Sequence, residues 1–145
     1  MATQNGAVNG SSPLPNLPTI LCLHGGGTSS TIFNIQTIRL QRALSSNFSF
    51  IFLDAPFESP AGPGVLPVFE GCGPFYRWLS LGGEGLQTTR DLIKHTLLEP
   101  DKEGKKRNAV GVLGFSQYVY TMSILHFLKK PSCRDLSLNG EILLL

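Results

Sequence analysis

Gly114-Phe115-Ser116-Gln117, at the end of the short apolar run Val110-Gly111-Val112-Leu113, are the residues whose types and spacing most plainly suggest chemistry. A serine held on a sharp turn between a strand and a helix has its hydroxyl lifted above the end of a sheet. There it can attack an acyl carbon, once a base takes its proton. A serine behind a strand can equally cap a helix, but the flanking glycine and the apolar strand favour the nucleophile. In such an elbow the residue two after the serine is small, because the strained turn brings strand and helix backbones together. Here that residue is Tyr118, whose phenol ring would clash.

The elements that would position this turn can be traced along the chain. Residues 1–18 are rich in Gly, Ser, Asn and Pro and read as a flexible leader. Thr19–Leu23 (TILCL) is a continuous apolar run ending in His24-Gly25-Gly26-Gly27, as expected of a strand buried on both faces of a parallel sheet. Residues 30–44 carry Phe33, Ile38, Leu40, Ala43 and Leu44 at mostly helical spacing, with Thr28, Ser29 or Ser30 available as the N-cap. A second buried strand over residues 48–53 ends at Asp54-Ala55-Pro56.

Residues 55–85 form a long Pro/Gly-rich excursion, expected to act as a binding loop or lid. Its aromatic residues Phe57, Phe69, Phe75, Tyr76 and Trp78 suit either an apolar pocket wall or pins that tie the loop to the core. Helical spacing returns over residues 86–98 through Leu86, Ile93 and Leu97, with Pro100 as a stop, and residues 109–113 make a third strand. Strands alternating with helices predict a three-layer α/β parallel sheet with every chemical candidate at a strand's carboxyl end.

Composition narrows the function class. Twelve Lys and Arg against ten Asp and Glu leave a formal charge of +2. The cluster Lys102, Lys105, Lys106 and Arg107 is interrupted by Glu103 and Gly104, and no matching aromatic platform accompanies it, so it reads as a solvated loop rather than a nucleic-acid surface. Cys22, Cys72 and Cys133 are odd in number and widely spaced, which indicates neither a disulfide framework nor a metal site and fits a reducing, cytoplasmic compartment. No run is long enough to span a membrane, residues 1–18 lack the pattern of a signal peptide, and the chain does not end in a peroxisomal address, so the Asn9-Gly10-Ser11 sequon is expected to be empty.

Four segments, in this order, resemble the fungal serine hydrolases (FSH family) of the α/β-hydrolase fold, a family of esterases and thioesterases of secondary metabolism. They are LCLHGGGTSS at 21–30, FLDAPF at 52–57, GPGVLPVFEGCGPFYRWL at 62–79 and GVLGFSQ at 111–117. The resemblance implies the N-terminal half of an α/β-hydrolase sheet over residues 19–117, with a lid loop at 55–85, the C-terminal strands missing and a divergent tail at 118–145. It implies Ser116 as nucleophile, with the backbone N–H groups of Gly26 and Gln117 as the preorganised donors that a transition-state oxyanion needs, and no cofactor. A glycine run suits that task because backbone can approach the substrate without side chains. His24 lies in the oxyanion turn of the family pattern, where it shapes the turn and is not the general base.

Asp54 precedes the elbow, whereas this fold orders its triad as Ser, then Asp or Glu, then His, so Asp54 reads as a structural anchor of the lid loop. A competing reading takes Gly25, Gly27 and Ser30 as a degraded dinucleotide turn with Asp54 on a ribose hydroxyl; its spacing is imperfect and it leaves the elbow unexplained. After Ser116 the only His is His126 and the only Asp is Asp135, in the wrong order, and His126 would point along the helix leaving the elbow. The acid and base are therefore not identifiable.

Two functions from different classes follow. The first is hydrolysis of carboxylic esters or thioesters, with an acyl substrate that a carrier protein can present in polyketide metabolism. The second is a truncated, non-catalytic relative or a mis-spliced product. Gln117-Tyr118-Val119 can be encoded CAG-TAT-GTA, which contains GTATGT, a common fungal intron start, so residues after Gln117 can be read as translated intron. Three strands alone would also leave an apolar edge beside the third, which predicts poor solubility.

Overall fold

A computed structural model describes residues 17–82, 84–100, 104, 106–115 and 143–144. Its main sheet is parallel throughout, with strands β1 (Thr19–Leu23), β2 (Ser49–Leu53), β5 (Ala109–Gly114) and β6 (Leu143–Leu144) in the order β2-β1-β5-β6. Two short strands within the excursion, β3 (Phe57–Ser59) and β4 (Phe75–Arg77), pair antiparallel in a separate sheet. The excursion at 55–85 thus carries a short hairpin-like sheet of its own. Three-residue strands are too short to display an alternating pattern in a sequence.

The apolar run of β1 is continuous because both of its faces are covered. Successive side chains point to opposite faces, so Leu21 and Leu23 join Val112, Ile93 and Leu97 in one buried cluster, while Cys22 joins Leu113 and Phe33 in the other. Ile93 and Leu97 come from helix α3 (Leu86–Leu98) and Phe33 from helix α1 (Ser30–Gln36), which makes the three layers expected. The same burial pushes the Cys22 thiol up to about 12. In the native chain a thiol reagent is expected to modify exposed Cys72 readily and to reach Cys22 only on unfolding, as peptide mapping would read; prompt native labelling of Cys22 would contradict this packing.

The helical stretch over 30–44 is bent rather than continuous. Ser29 caps α1, its hydroxyl accepting from the Ile32 N–H at 3.3 Å, and α2 (Ile38–Leu44) begins just beyond Thr37. The Thr37 hydroxyl donates to the carbonyls of Phe33 (2.8 Å) and Asn34 (3.3 Å), a back-bonding pattern that bends helices.

Beyond β5 the only strand among the described residues is β6, which pairs with Leu113 and Gly114. The edge expected to lie open beside the third strand is thus covered at its carboxyl end by the apolar tail. The other end of the strand order is β2, whose five residues are all half-buried.

Candidate active site

The chain path marks one place on this sheet. From β1 it moves to β2 on one side, then returns across β1 to β5 on the other. Ligands of open α/β sheets bind beyond the carboxyl ends of the strands at such a reversal. Here the reversal lies between β1 and β5, where Leu23 pairs with Gly114 and the Phe115 N–H donates to the Leu23 carbonyl at 3.2 Å. The glycine turn Gly25-Gly26-Gly27 leaves β1 at this point, and Gly114-Phe115 leaves β5 beside it. Phe115 is 45% exposed, and its ring leans on Phe33 with centroids 6.3 Å apart. Ser116 and Gln117 follow in the chain and lie outside the described residues, as do Tyr118, His126 and Asp135.

The glycine turn is held on two sides by the excursion. On one side the Gly27 N–H donates to the Tyr76 carbonyl at 2.8 Å, and the Tyr76 N–H donates to the Thr28 carbonyl at 2.8 Å, so β4 gains a bridge to Thr28. On the other side the Gly62 N–H donates to the Gly27 carbonyl at 2.9 Å. Gly27 has φ +73°, and a Cβ on it would stand 2.2 Å from the Gly62 nitrogen. Only glycine fits there. The Gly26 N–H, by contrast, is taken by none of the other described residues.

His24, 1% exposed, is the keystone of the turn. Its Nε2 accepts from the Ala55 N–H at 3.0 Å, which places the ring proton on Nδ1, donating to the Gly25 carbonyl at 2.7 Å. The Thr28 hydroxyl donates to the same carbonyl at 2.9 Å. From the excursion Trp78 Nε1–H donates to the His24 carbonyl at 2.7 Å, and the buried Thr89 hydroxyl of α3 donates to the Trp78 carbonyl. With both ring nitrogens engaged inside the protein, His24 has no nitrogen left to act as a base. Thr89 was not foreseeable, since a threonine on a helix says nothing of a partner eleven residues upstream.

Burial lowers the His24 pKa below its ordinary value, outweighing the Gly25 hydrogen bond and the Asp54 charge, which both raise it. The unfolded chain therefore binds the proton more readily. Stability that is complete above about pH 6.5 is expected to be lost as pH falls from there toward the folded-state value. Denaturation midpoints between about pH 7.5 and about pH 5.5 should decline, and decline less in His24→Gln; equal slopes in both chains would refute this.

The other candidates sort by position. Asp54 is exposed and accepts from the Ser30 N–H at 2.7 Å, so it anchors the start of α1 instead of the lid loop. What disfavours the dinucleotide reading is the space beside the glycines, which is filled by the backbone of Gly62. Trp78 (2% exposed) belongs to the core, Tyr76 packs against it, and Phe57 lies over Gly85, so these three aromatics act as pins. His95, 72% exposed and 3.4 Å from Glu99, sits near the end of α3, at the amino end of the following strand. It is at the wrong end of the sheet to serve the crevice.

A family model described as Serine hydrolase (FSH1) matches residues 14–131. The chain belongs to the FSH1 serine hydrolase family. The match passes Gln117 and takes in part of the tail that diverges from the elbow pattern at Tyr118. Among curated relatives, "Thioesterase FSL2" of Gibberella zeae is 41% identical over 113 residues, 70% of this chain and 46% of that protein. "Dihydromonacolin L-[lovastatin nonaketide synthase] thioesterase" of Aspergillus terreus is 36% identical over 116 residues, 73% of this chain and 45% of that protein. "Esterase citA" of Monascus ruber is 40% identical over 110 residues, 70% and 42% of the two chains. The chain spans less than half the length of these three relatives. No solved structure matches. Among the described residues no helix is long and apolar enough to cross a membrane, and no group of three or more His, Cys, Asp or Glu could hold a metal ion.

Proposed function

We propose that this chain carries the nucleophile and oxyanion half of a serine hydrolase acting on carboxylic esters or thioesters. The observation that carries the reading is the convergence of two backbone turns at the sheet's reversal point, a glycine turn whose Gly26 N–H no other described residue takes and the Gly114-Phe115 exit that leads to Ser116. Ser116 Oγ forms a bond to the acyl carbon while its proton passes to a base. The carbonyl electrons move onto oxygen, where the Gly26 and Gln117 N–H groups receive them. Collapse of that intermediate expels the alcohol or thiol with a proton, and water then releases the acid from Ser116.

The name of the Aspergillus terreus relative, a thioesterase of a nonaketide synthase, supports a polyketide-type acyl thioester as substrate; its presentation on a carrier protein in the cytoplasm is part of the proposal. Neither His24 nor His95 is placed to act as the base, which leaves His126 as the only remaining histidine in this chain.

A fluorophosphonate probe tests the reading directly, because it bonds only to an activated serine. Labelling mapped to Ser116 by mass spectrometry supports it. An intact, folded chain that takes no label favours the second reading, a non-catalytic relative, which Tyr118 at the small-residue position also favours. Sequencing the transcript across Gln117 and Tyr118 then separates a true relative from a retained intron.

A further inference from the structure

Gly62 lies in the excursion, far along the chain from both strands of the crevice, in a Pro/Gly-rich stretch that gives it no local distinction. Its surroundings do. Its N–H donates to the Gly27 carbonyl at 2.9 Å, and a Cβ on it would stand 2.4 Å from the Gly26 carbonyl oxygen. Its backbone needs no left-handed conformation, so only the approach of the Gly26 peptide demands a glycine. On the opposite side of the turn the Gly27 N–H is held by Tyr76. The Gly26-Gly27 peptide is therefore gripped between two segments of the excursion, while the adjoining Gly25-Gly26 peptide, which carries the Gly26 N–H, is held at the Gly25 carbonyl by His24 and Thr28; the direction of the Gly26 N–H is set by both peptides that meet at Gly26.

We propose that Gly62 is a positioning residue for acyl transfer: by docking without a side chain on the Gly26-Gly27 peptide, the lid backbone holds the oxyanion donor of Gly26 in its working direction. This rests on the reading of Gly26 as that donor. The stretch at 55–85 is on this view part of the catalytic floor as well as a cover. A methyl group at Gly62 would push the Gly26 carbonyl away and turn the peptides on either side of it. Because the oxyanion exists only in the transition state, the loss should fall on the chemical step and spare substrate binding.

The test compares the 145-residue chain with Gly62→Ala and, as a control, Gly64→Ala. Gly64 has φ +75° and nothing within 4 Å, so its variant bears backbone strain in the same loop without touching the turn. Gly62→Ala is expected to slow fluorophosphonate labelling and kcat for a simple aryl ester by roughly tenfold to a hundredfold, with KM within about twofold of the parent. Hydrogen exchange of the Gly27 N–H, read by NMR, should accelerate in Gly62→Ala and stay unchanged in Gly64→Ala. A Gly62→Ala chain with parental labelling and parental Gly27 exchange overturns the proposal. Should the parent itself take no label, the reading of Ser116 fails, and Gly27 exchange alone decides the role of Gly62: faster exchange sustains its grip on the turn, unchanged exchange refutes it. If Gly62→Ala does not fold, replacing the Gly62 N–H by an ester oxygen deletes the bond to Gly27 without adding an atom, and unchanged Gly27 exchange in that protein is equally fatal to the idea.

Discussion

Truncation of Trp78 to alanine is expected to cost about 3–5 kcal/mol, the range for removing a large aromatic from a packed interior. Trp78 is 2% exposed and packs in the cluster of Leu21, Leu23, Ile93, Leu97 and Val112 that joins the sheet to α3. Its ring also lies 5.1 Å from that of His24 and donates to the His24 carbonyl, so the truncation leaves a buried acceptor without its donor. Against a total stability of about 5–15 kcal/mol, a loss of this size leaves a chain marginally folded at best. Trp78→Phe separates the two contributions: it keeps most of the apolar volume and loses the N–H, for an expected cost of about 1–3 kcal/mol. Urea denaturation followed by circular dichroism gives both values. A loss below about 1 kcal/mol for Trp78→Ala would mean that this end of the excursion is not part of the core.

The second large effect is expected at Gly27. A valine there must adopt φ +73°, which costs a β-branched residue at least about 1–2 kcal/mol. Its Cβ must also find room where the Gly62 nitrogen and Cα stand 2.2 and 2.5 Å away. Those neighbours are backbone atoms, which cannot rotate aside as a side-chain tip would. Overpacking adds about 1–3 kcal/mol, so a combined loss of roughly 2–5 kcal/mol is expected, together with detachment of the loop from the turn. Limited proteolysis would read the detachment as new cleavage between residues 60 and 74, and thermal melting would read the loss. Parental behaviour in both would show that the loop and the glycine turn do not depend on one another.

Much of this architecture was legible in the amino acids because parallel strands covered on both faces leave unbroken apolar runs. Thr19–Leu23 and Ala109–Gly114 announce themselves in that way, and Leu86–Leu98 through Ile93 and Leu97 at helical spacing. The glycine turn was legible as a place of close backbone approach, because glycines at a strand end let backbone come near without side chains. What escaped were features whose cause lies between distant residues. Thr37 looks like any helical threonine until its hydroxyl is seen on the Phe33 and Asn34 carbonyls. Asp54 could be recognised as structural, but its partner, the Ser30 N–H, depends on how α1 meets the end of β2. The choice between pocket wall and pin for Tyr76 and Trp78 needed the positions of Gly27, Thr28 and His24. Gly62, one glycine among sixteen, becomes significant only beside Gly26.

The strand order has a consequence for the chain as it is made. Strand β1 finds its first neighbour, β2, as soon as Leu53 has been synthesised, but its other neighbour begins only at Ala109. At about 5–20 residues per second, the intervening segment takes on the order of 3–11 s to emerge from the ribosome. Throughout that interval the backbone N–H and C=O groups of Leu21 and Leu23, which point toward the place of β5, face outward on an apolar strand without that partner to receive them. The nascent protein therefore depends, for several seconds, on chaperones or on the glycine-rich excursion to keep that edge from the edges of other chains.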